Sequence, residues 1–91
     1  LPDARVLRSP VRVASGYAAR GDETNAAAWF ERARQYYIEW ASKWPGTMTA
    51  ELAMSFRAET FLMEERWSDA VEAYEQLDRD HGSDGNRAGI G

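Results

Sequence analysis

Hydrophobic residues recur every three to four positions in four blocks along the chain, and polar residues fill the positions between them. This is the period of an amphipathic helix, whereas only Val11 and Val13 alternate in the manner of a strand. The pattern predicts an all-α chain with helices over about 10–20, 24–44, 48–64 and 68–80. Because very short turns join the helices, we expect each to pack antiparallel against its neighbour in the chain.

Capping and helix-ending residues lie between the hydrophobic blocks. Pro10 suits a first helical turn, and Gly21 and the pair Pro45-Gly46 are placed to end the first and second helices. Glu65 stands in the third turn, which we expect to be tight enough to need no positive φ. The predicted N-caps are Ser9, either Asp22 or Thr24, either Thr47 or Thr49, and Ser68.

Both ends of the chain differ from its middle. Residues 1–9 form a lead-in, residues 10–82 the helical domain, and residues 83–91 a Gly-rich segment without periodicity that we expect to be a flexible tail. The sequence begins at Leu1 without Met and shows no signal peptide. We therefore expect a processed or excised segment.

The composition narrows the classes of function. The chain has 91 residues, of which 44% are hydrophobic and 29% charged, as in one small globular domain. Its net charge of −4, with eleven basic residues scattered among fifteen acidic ones, argues against nucleic acid as a partner. The absence of Cys excludes disulfides and thiol chemistry. No run of apolar residues is long enough to span a membrane.

Two segments repeat the same spacing of small and aromatic residues. The first set is Ala14, Tyr17, Gly21, Ala26, Phe30 and Ala33, and the second is Ala58, Phe61, Ala70, Tyr74 and Leu77. The pattern resembles the tetratricopeptide repeat, in which small residues let two helices approach closely and aromatics fill the groove beside them. The two units depart from the family by their offset of 44 residues, by Glu65 at the usual turn glycine and by Arg57 at a usually apolar position.

The resemblance implies two antiparallel helical hairpins stacked as a right-handed α-solenoid segment. Two such units leave apolar ends, so we expect further repeats in a longer chain or a homo-oligomer. The end that associates would be the first helix or the last, at Val71, Tyr74 and Leu77. The aromatic-rich end of the second helix also looks like repeat proteins of the bacterial cell envelope, which favours the periplasm or envelope over the cytoplasm.

The same resemblance implies a groove lined by the first helix of each unit. Its residues would be Ser15, Ala18, Ala19, Leu52, Ser55, Glu59, Leu62 and Met63. We expect a non-enzymatic interaction module or scaffold that binds a protein, peptide or helix there. Alternatively, these residues pack against neighbouring repeats.

The segment Trp29–Trp44 contains six aromatic residues in sixteen. Aromatics at helical spacing usually face a core, and we expect Tyr36, Trp40 and Trp44 to pack on the third helix. Their predicted contacts are Ala50, Leu52, Ala53 and Phe56, while Arg34 belongs to the polar face. The alternative is a self-associating bundle without a peptide groove, with an interface at Trp29, Tyr36, Trp40 and Trp44.

No pattern of catalytic or metal-binding residues emerges. His81 is the only histidine and lies near a predicted helix end, where it would interact with the helix dipole. Asp80, Gly82, Asp84 and Gly85 echo a calcium loop but lack its second acidic ligand and closing Glu. We expect neither an enzyme nor a cofactor or metal site.

Overall fold

A computed structural model describes residues 7–82, apart from the side chains of residues 81 and 82. Within that range the chain forms four α-helices and a final π-helical turn, and it contains no strand. These are α1 (Ser9–Ala19), α2 (Glu23–Lys43), α3 (Met48–Met63), α4 (Trp67–Leu77) and the π-helical turn Asp78–Gly82. The predicted all-α class is confirmed. The predictions for residues 1–6, for the tail 83–91 and for the His81 side chain concern parts outside the described range.

Side-chain caps hold the starts of α2 and α3. The Asp22 carboxylate accepts a hydrogen bond from the Asn25 N–H at 3.2 Å, and the Thr47 hydroxyl accepts one from the Ala50 N–H at 3.1 Å. Each cap satisfies one of the free N–H groups of a helix start. Of the two alternatives at each place, Asp22 and Thr47 are the caps.

The predicted caps Ser9 and Ser68 are wrong. Both serines lie inside their helices, and Arg8 and Arg66 occupy the cap positions without a side-chain cap. Arg8 already has helical backbone angles (φ −86°, ψ −16°), so α1 begins earlier in the chain than a cap at Ser9 would allow. At α4 the Arg66 carbonyl accepts the first helical bond, from the Ala70 N–H at 2.9 Å.

The turns after α1 and α3 share one hydrogen-bond pattern, which reverses the chain through a residue of positive φ. That residue is Gly21 (φ 81°) in the turn after α1 and Glu65 (φ 59°) in the turn after α3. The expectation that Glu65 needs no positive φ is therefore wrong. In the turn after α1, the Asp22 N–H donates to the Tyr17 carbonyl and the Gly21 N–H to the Ala18 carbonyl. In the turn after α3, the Arg66 N–H donates to the Phe61 carbonyl and the Glu65 N–H to the Leu62 carbonyl. These are the bonds of a Schellman C-cap.

The core consists of three clusters, which follow the order of the helices. The first joins α1 to α2, the second joins the start of the described chain to α2 and α3, and the third joins α3 to α4. Their buried members are Ala14, Ala26 and Phe30; then Leu7, Ala33, Tyr37, Trp40 and Ala53; then Ala58, Phe61, Ala70 and Ala73. Close packing is thus between helices that are consecutive in the chain.

The aromatic part of α2 packs largely as expected. Tyr36 and Trp44 are half-buried against the second cluster, together with Phe56 of α3. The rings of Tyr37 and Phe56 have centroids 5.8 Å apart. Leu52, by contrast, is exposed and is not a member of this cluster.

Leu7 is an unexpected member of the core. It was assigned to the lead-in, yet its side chain is buried. Its backbone carbonyl accepts a hydrogen bond from the buried Tyr37 hydroxyl, which satisfies the polar atom of that ring. The start of α1 is therefore anchored on α2.

Arg34 is buried and does not belong to the polar face of α2. Its side chain is 4% exposed, and its Nη1 donates to the Glu64 carboxylate at 2.7 Å and to the Thr60 hydroxyl at 3.1 Å. Its Nε and Nη2 donate to Glu31 at 3.2 and 3.1 Å. Two carboxylates thus compensate the desolvated guanidinium, which ties α2 to α3.

Tyr74 does not fill a buried groove as the repeat pattern implied. It is 38% exposed, and Ala73 is the buried neighbour that packs with Ala70 and Phe61. At the matching position of the first unit, Phe30 is 4% exposed. In the described chain α2 is flanked by α1 and α3, whereas only α3 packs closely on α4.

Candidate functional site: a groove between α1 and α3

A groove of about 310 Å³ lies where the start of α1 faces the second half of α3. The buried ring of Tyr37, from α2, forms its floor. The lining residues are Arg8, Val11 and Arg12 from the α1 side, Tyr37, and Phe56, Glu59 and Met63 from α3. Val11 and Phe56 also pack on the second core cluster, so the core itself holds this part of the wall in place.

The two walls carry opposite charge. Arg8 and Arg12 line the α1 side, and the guanidinium carbon of Arg8 lies 5.6 Å from the centre of the Phe56 ring. Glu59 lines the α3 side. Within the described chain, Arg12 and Glu59 belong to none of the ion pairs. Their charges therefore face the groove and solvent and are open to a bound partner.

The floor of the groove is neutral. Burial raises the pKa of the Tyr37 hydroxyl well above its usual range, and the Glu59 carboxylate raises it further. The hydroxyl therefore keeps its proton and serves as a hydrogen-bond donor to the Leu7 carbonyl. An apolar, uncharged floor between charged walls suits an amphipathic ligand.

Only part of the predicted groove lines this one. Glu59 and Met63 are in its wall, but Leu52, Ser55 and Leu62 of α3 and Ser15, Ala18 and Ala19 of α1 are not. Because Leu7 and Val11 anchor the start of α1, that end of the helix faces α3. The α1 contribution therefore comes from Arg8, Val11 and Arg12.

Five lining residues were not predicted from the sequence: Arg8, Val11, Arg12, Tyr37 and Phe56. The helical period that places Leu7, Val11 and Ala14 on one face was a usable signal for Val11. Nothing in the local sequence distinguishes Arg8 and Arg12 from ordinary surface arginines. Their place in the groove follows from the position of the start of α1 beside α3.

The predicted aromatic interface is divided between core and surface. Trp40 is 4% exposed and lies in the second cluster, so it does not face a partner in the folded monomer. This corrects the prediction that Trp40 belongs to a partner interface. Trp29 and Tyr36 are half-buried and line a shallow depression of about 430 Å³ with Ser9, Pro10 and Arg32. The Arg32 guanidinium covers the Trp29 ring, 4.7 Å from its centre.

Among residues 7–80, no three His, Cys, Asp or Glu side chains form a cluster that could hold a metal ion. None of the helices in this range is both long and apolar enough to cross a bilayer. The calcium-like segment at Asp80–Gly85 extends beyond the described residues.

A scan against family models, a search of curated proteins and a search of solved structures each find no match. The groove and the exposed surfaces around it are therefore the basis for a functional assignment.

Proposed function

We propose that this chain is a non-enzymatic interaction module, which binds a peptide or a helix of another protein in the groove between α1 and α3. The observation that carries the proposal is the groove itself, with an apolar floor and two walls of opposite charge. Interaction grooves for short segments combine apolar anchor pockets with a few polar groups that fix orientation.

We propose further that the helices are two tetratricopeptide-like hairpins. Support comes from the turns, since the bonds at Tyr17–Asp22 recur at Phe61–Arg66, displaced by the 44 residues of the sequence repeat. Support also comes from paired contacts that run in opposite directions along α2 and α3. Arg34 bonds to Glu64, and Tyr37, one turn later in α2, packs on Phe56, two turns earlier in α3.

The groove defines the chemistry of its ligand. Val11, Phe56 and Met63 suit a central apolar side chain, because they offer apolar surface that is still partly open to water. Arg8 and Arg12 favour an acidic residue on one side of this anchor, and Glu59 favours a basic residue on the other. The flexible thioether of Met63 adapts the wall to anchors of different shape.

Selection from a library of random peptides displayed on phage tests the proposal. The wild-type chain should enrich peptides with an apolar anchor between an acidic and a basic residue. Met63→Glu should weaken binding of these peptides at least tenfold, because it places a charge against the apolar anchor. Fluorescence polarisation with the enriched peptides measures the change.

Met48→Glu is the matched control. Met48 lies on the same helix, is 86% exposed and is outside the groove, and a Glu in the first helical turn is well tolerated. Its peptide affinity should equal that of the wild type. If no peptide is enriched, or if both variants bind equally well, the groove is not the binding site.

The alternative function, self-association through the aromatic helix, has one observation in its favour. Trp29 and Tyr36 present partly exposed rings around the depression beside Ser9 and Pro10. A self-associating bundle of this kind would lose its dimer with Trp29→Ala. The Trp29 side chain is only partly buried where it packs against the first core cluster. Trp40→Ala is unsuitable for the purpose, because removing a buried Trp costs about 3–5 kcal/mol of folding free energy.

A further inference from the structure

The two end helices of the described chain each have a face that no other helix covers. α1 packs chiefly on α2, and α4 packs chiefly on α3. The outer faces of α1 and α4 differ in both shape and charge. This difference makes them a complementary pair.

The outer face of α4 is large, apolar and surrounded by acids. Trp67 and Val71 are 59% and 58% exposed, and Tyr74 lies on the same stripe one turn further on. A contiguous apolar stripe of this kind marks an interaction surface more often than isolated exposed residues do. Residues 66–80 carry two basic residues, Arg66 and Arg79, and five acidic ones: Asp69, which is ion-paired with Arg66, and Glu72, Glu75, Asp78 and Asp80.

The outer face of α1 is small and basic. Arg12, Val13 and Gly16 are exposed and lie on the side of the helix away from the buried Ala14. A Cβ added to Gly16 would meet no atom within 4 Å, so packing inside the chain does not require glycine there. The charged residues of segment 7–20 are Arg8, Arg12 and Arg20, and none is acidic.

We propose that α4 of one copy of this chain docks on the outer face of α1 of a second copy, head to tail. The large side chains of Trp67, Val71 and Tyr74 meet the small surface around Gly16, where a helix can approach closely. The acidic surroundings of α4 meet the arginines of α1. Contacts between two α4 faces, or between two α1 faces, would bring like charges together.

A head-to-tail contact leaves one α1 face and one α4 face free at the ends of every assembly. Such heterologous interfaces build rings or open chains and do not stop at a two-fold dimer. The proposal therefore predicts a series of oligomers that grows with concentration. Sedimentation equilibrium of the chain from micromolar to millimolar concentration measures this growth.

Two variants block one face each. Gly16→Glu fills the small surface and reverses its charge, and Val71→Lys interrupts the apolar stripe of α4 and reverses the charge there. Glu and Lys are better helix formers than Gly and Val, so both variants should fold, and circular dichroism verifies this. Neither position lines the groove between α1 and α3.

Each variant alone should sediment as a monomer at concentrations where the wild type associates. An equimolar mixture should associate again, because the intact α4 of the Gly16→Glu copy meets the intact α1 of the Val71→Lys copy. Three results would each overturn the proposal: a wild type that stays monomeric, a single variant that still associates, or a mixture that stays monomeric. Association of Gly16→Glu alone would indicate contact between α4 faces, and that of Val71→Lys alone contact between α1 faces.

Discussion

At the scale of single residues, Arg34 shows how position in the fold changes the role of a charged side chain. It shares α2 with Arg32, and the local sequence treats the two alike. Arg32 is exposed and covers the Trp29 ring, whereas Arg34 is buried between Glu31, Thr60 and Glu64. Only the approach of α3 separates the two roles.

Arg34→Ala should therefore lower the free energy of unfolding by about 3 kcal/mol, because it leaves the partly buried Glu64 carboxylate without its main partner. Arg32→Ala, the matched control, should change it by less than about 0.5 kcal/mol, as is usual on the surface. Urea unfolding followed by circular dichroism measures both. Equal losses would show that the buried network adds nothing to stability.

The pH dependence of stability should have a contribution from Glu31. Hydrogen bonds from Gln35 and then Arg34 hold the pKa of this carboxyl below its usual value of 4.5. A group with a depressed pKa binds fewer protons in the folded state, so its contribution is present at neutral pH and is lost as the pH falls through the folded pKa. Glu31→Gln should flatten the acid side of the stability profile measured by urea unfolding, and an unchanged slope would contradict this. Solvent exposure of Glu31 keeps the effect small.

At the scale of elements, the turns after α1 and α3 show the same backbone geometry with different residues. Gly21 supplies the positive φ in the turn after α1. Glu65 supplies it in the turn after α3, at a steric cost. The sequence alone did not indicate this, because Glu is uncommon in that conformation. The equivalence of the two turns became apparent only from their hydrogen bonds.

Glu65→Gly should raise the free energy of unfolding by up to about 1 kcal/mol, because it removes the clash of Cβ in the left-handed region. Glu65→Ala retains Cβ and should give no such gain. Gly21→Ala makes the opposite change at the matching position and should cost about 1 kcal/mol. Chemical denaturation of the three variants tests the set, and the prediction fails if Glu65→Gly is no more stable than Glu65→Ala.

At the scale of the whole molecule, the net charge of −4 is unevenly distributed. The charged residues of segment 7–20 are all basic, and those of segment 66–80 are mostly acidic. A charge asymmetry of this kind orients encounters between copies and disfavours contact between like ends. Arg12 lines the groove between α1 and α3 and also lies on the outer face of α1, so a bound ligand and a docked α4 should compete for this side chain.

If the ends bind each other, association must also stabilise the fold. The melting temperature of the wild type should rise with protein concentration, since binding restricted to the folded state stabilises it by mass action. The melting temperature of Val71→Lys should not depend on concentration. Differential scanning calorimetry over the concentrations used for sedimentation measures both. A concentration-independent wild-type transition would argue against coupling between folding and association.

The sequence by itself determined the all-α class, the caps Asp22 and Thr47 (each as one of two alternatives) and the end of α1 at Gly21. These features depend on residues only a few positions apart, whose geometry the helix fixes. The tertiary structure alone decided the burial of Arg34, the exposure of Tyr74 and the α1 residues of the groove. These depend on pairs far apart in the chain, such as Tyr37 with Leu7 and Arg34 with Glu64, each separated by 30 residues. Local patterns indicate which face of a helix is apolar. Only the packing of two helices against each other decides which residues of that face are covered.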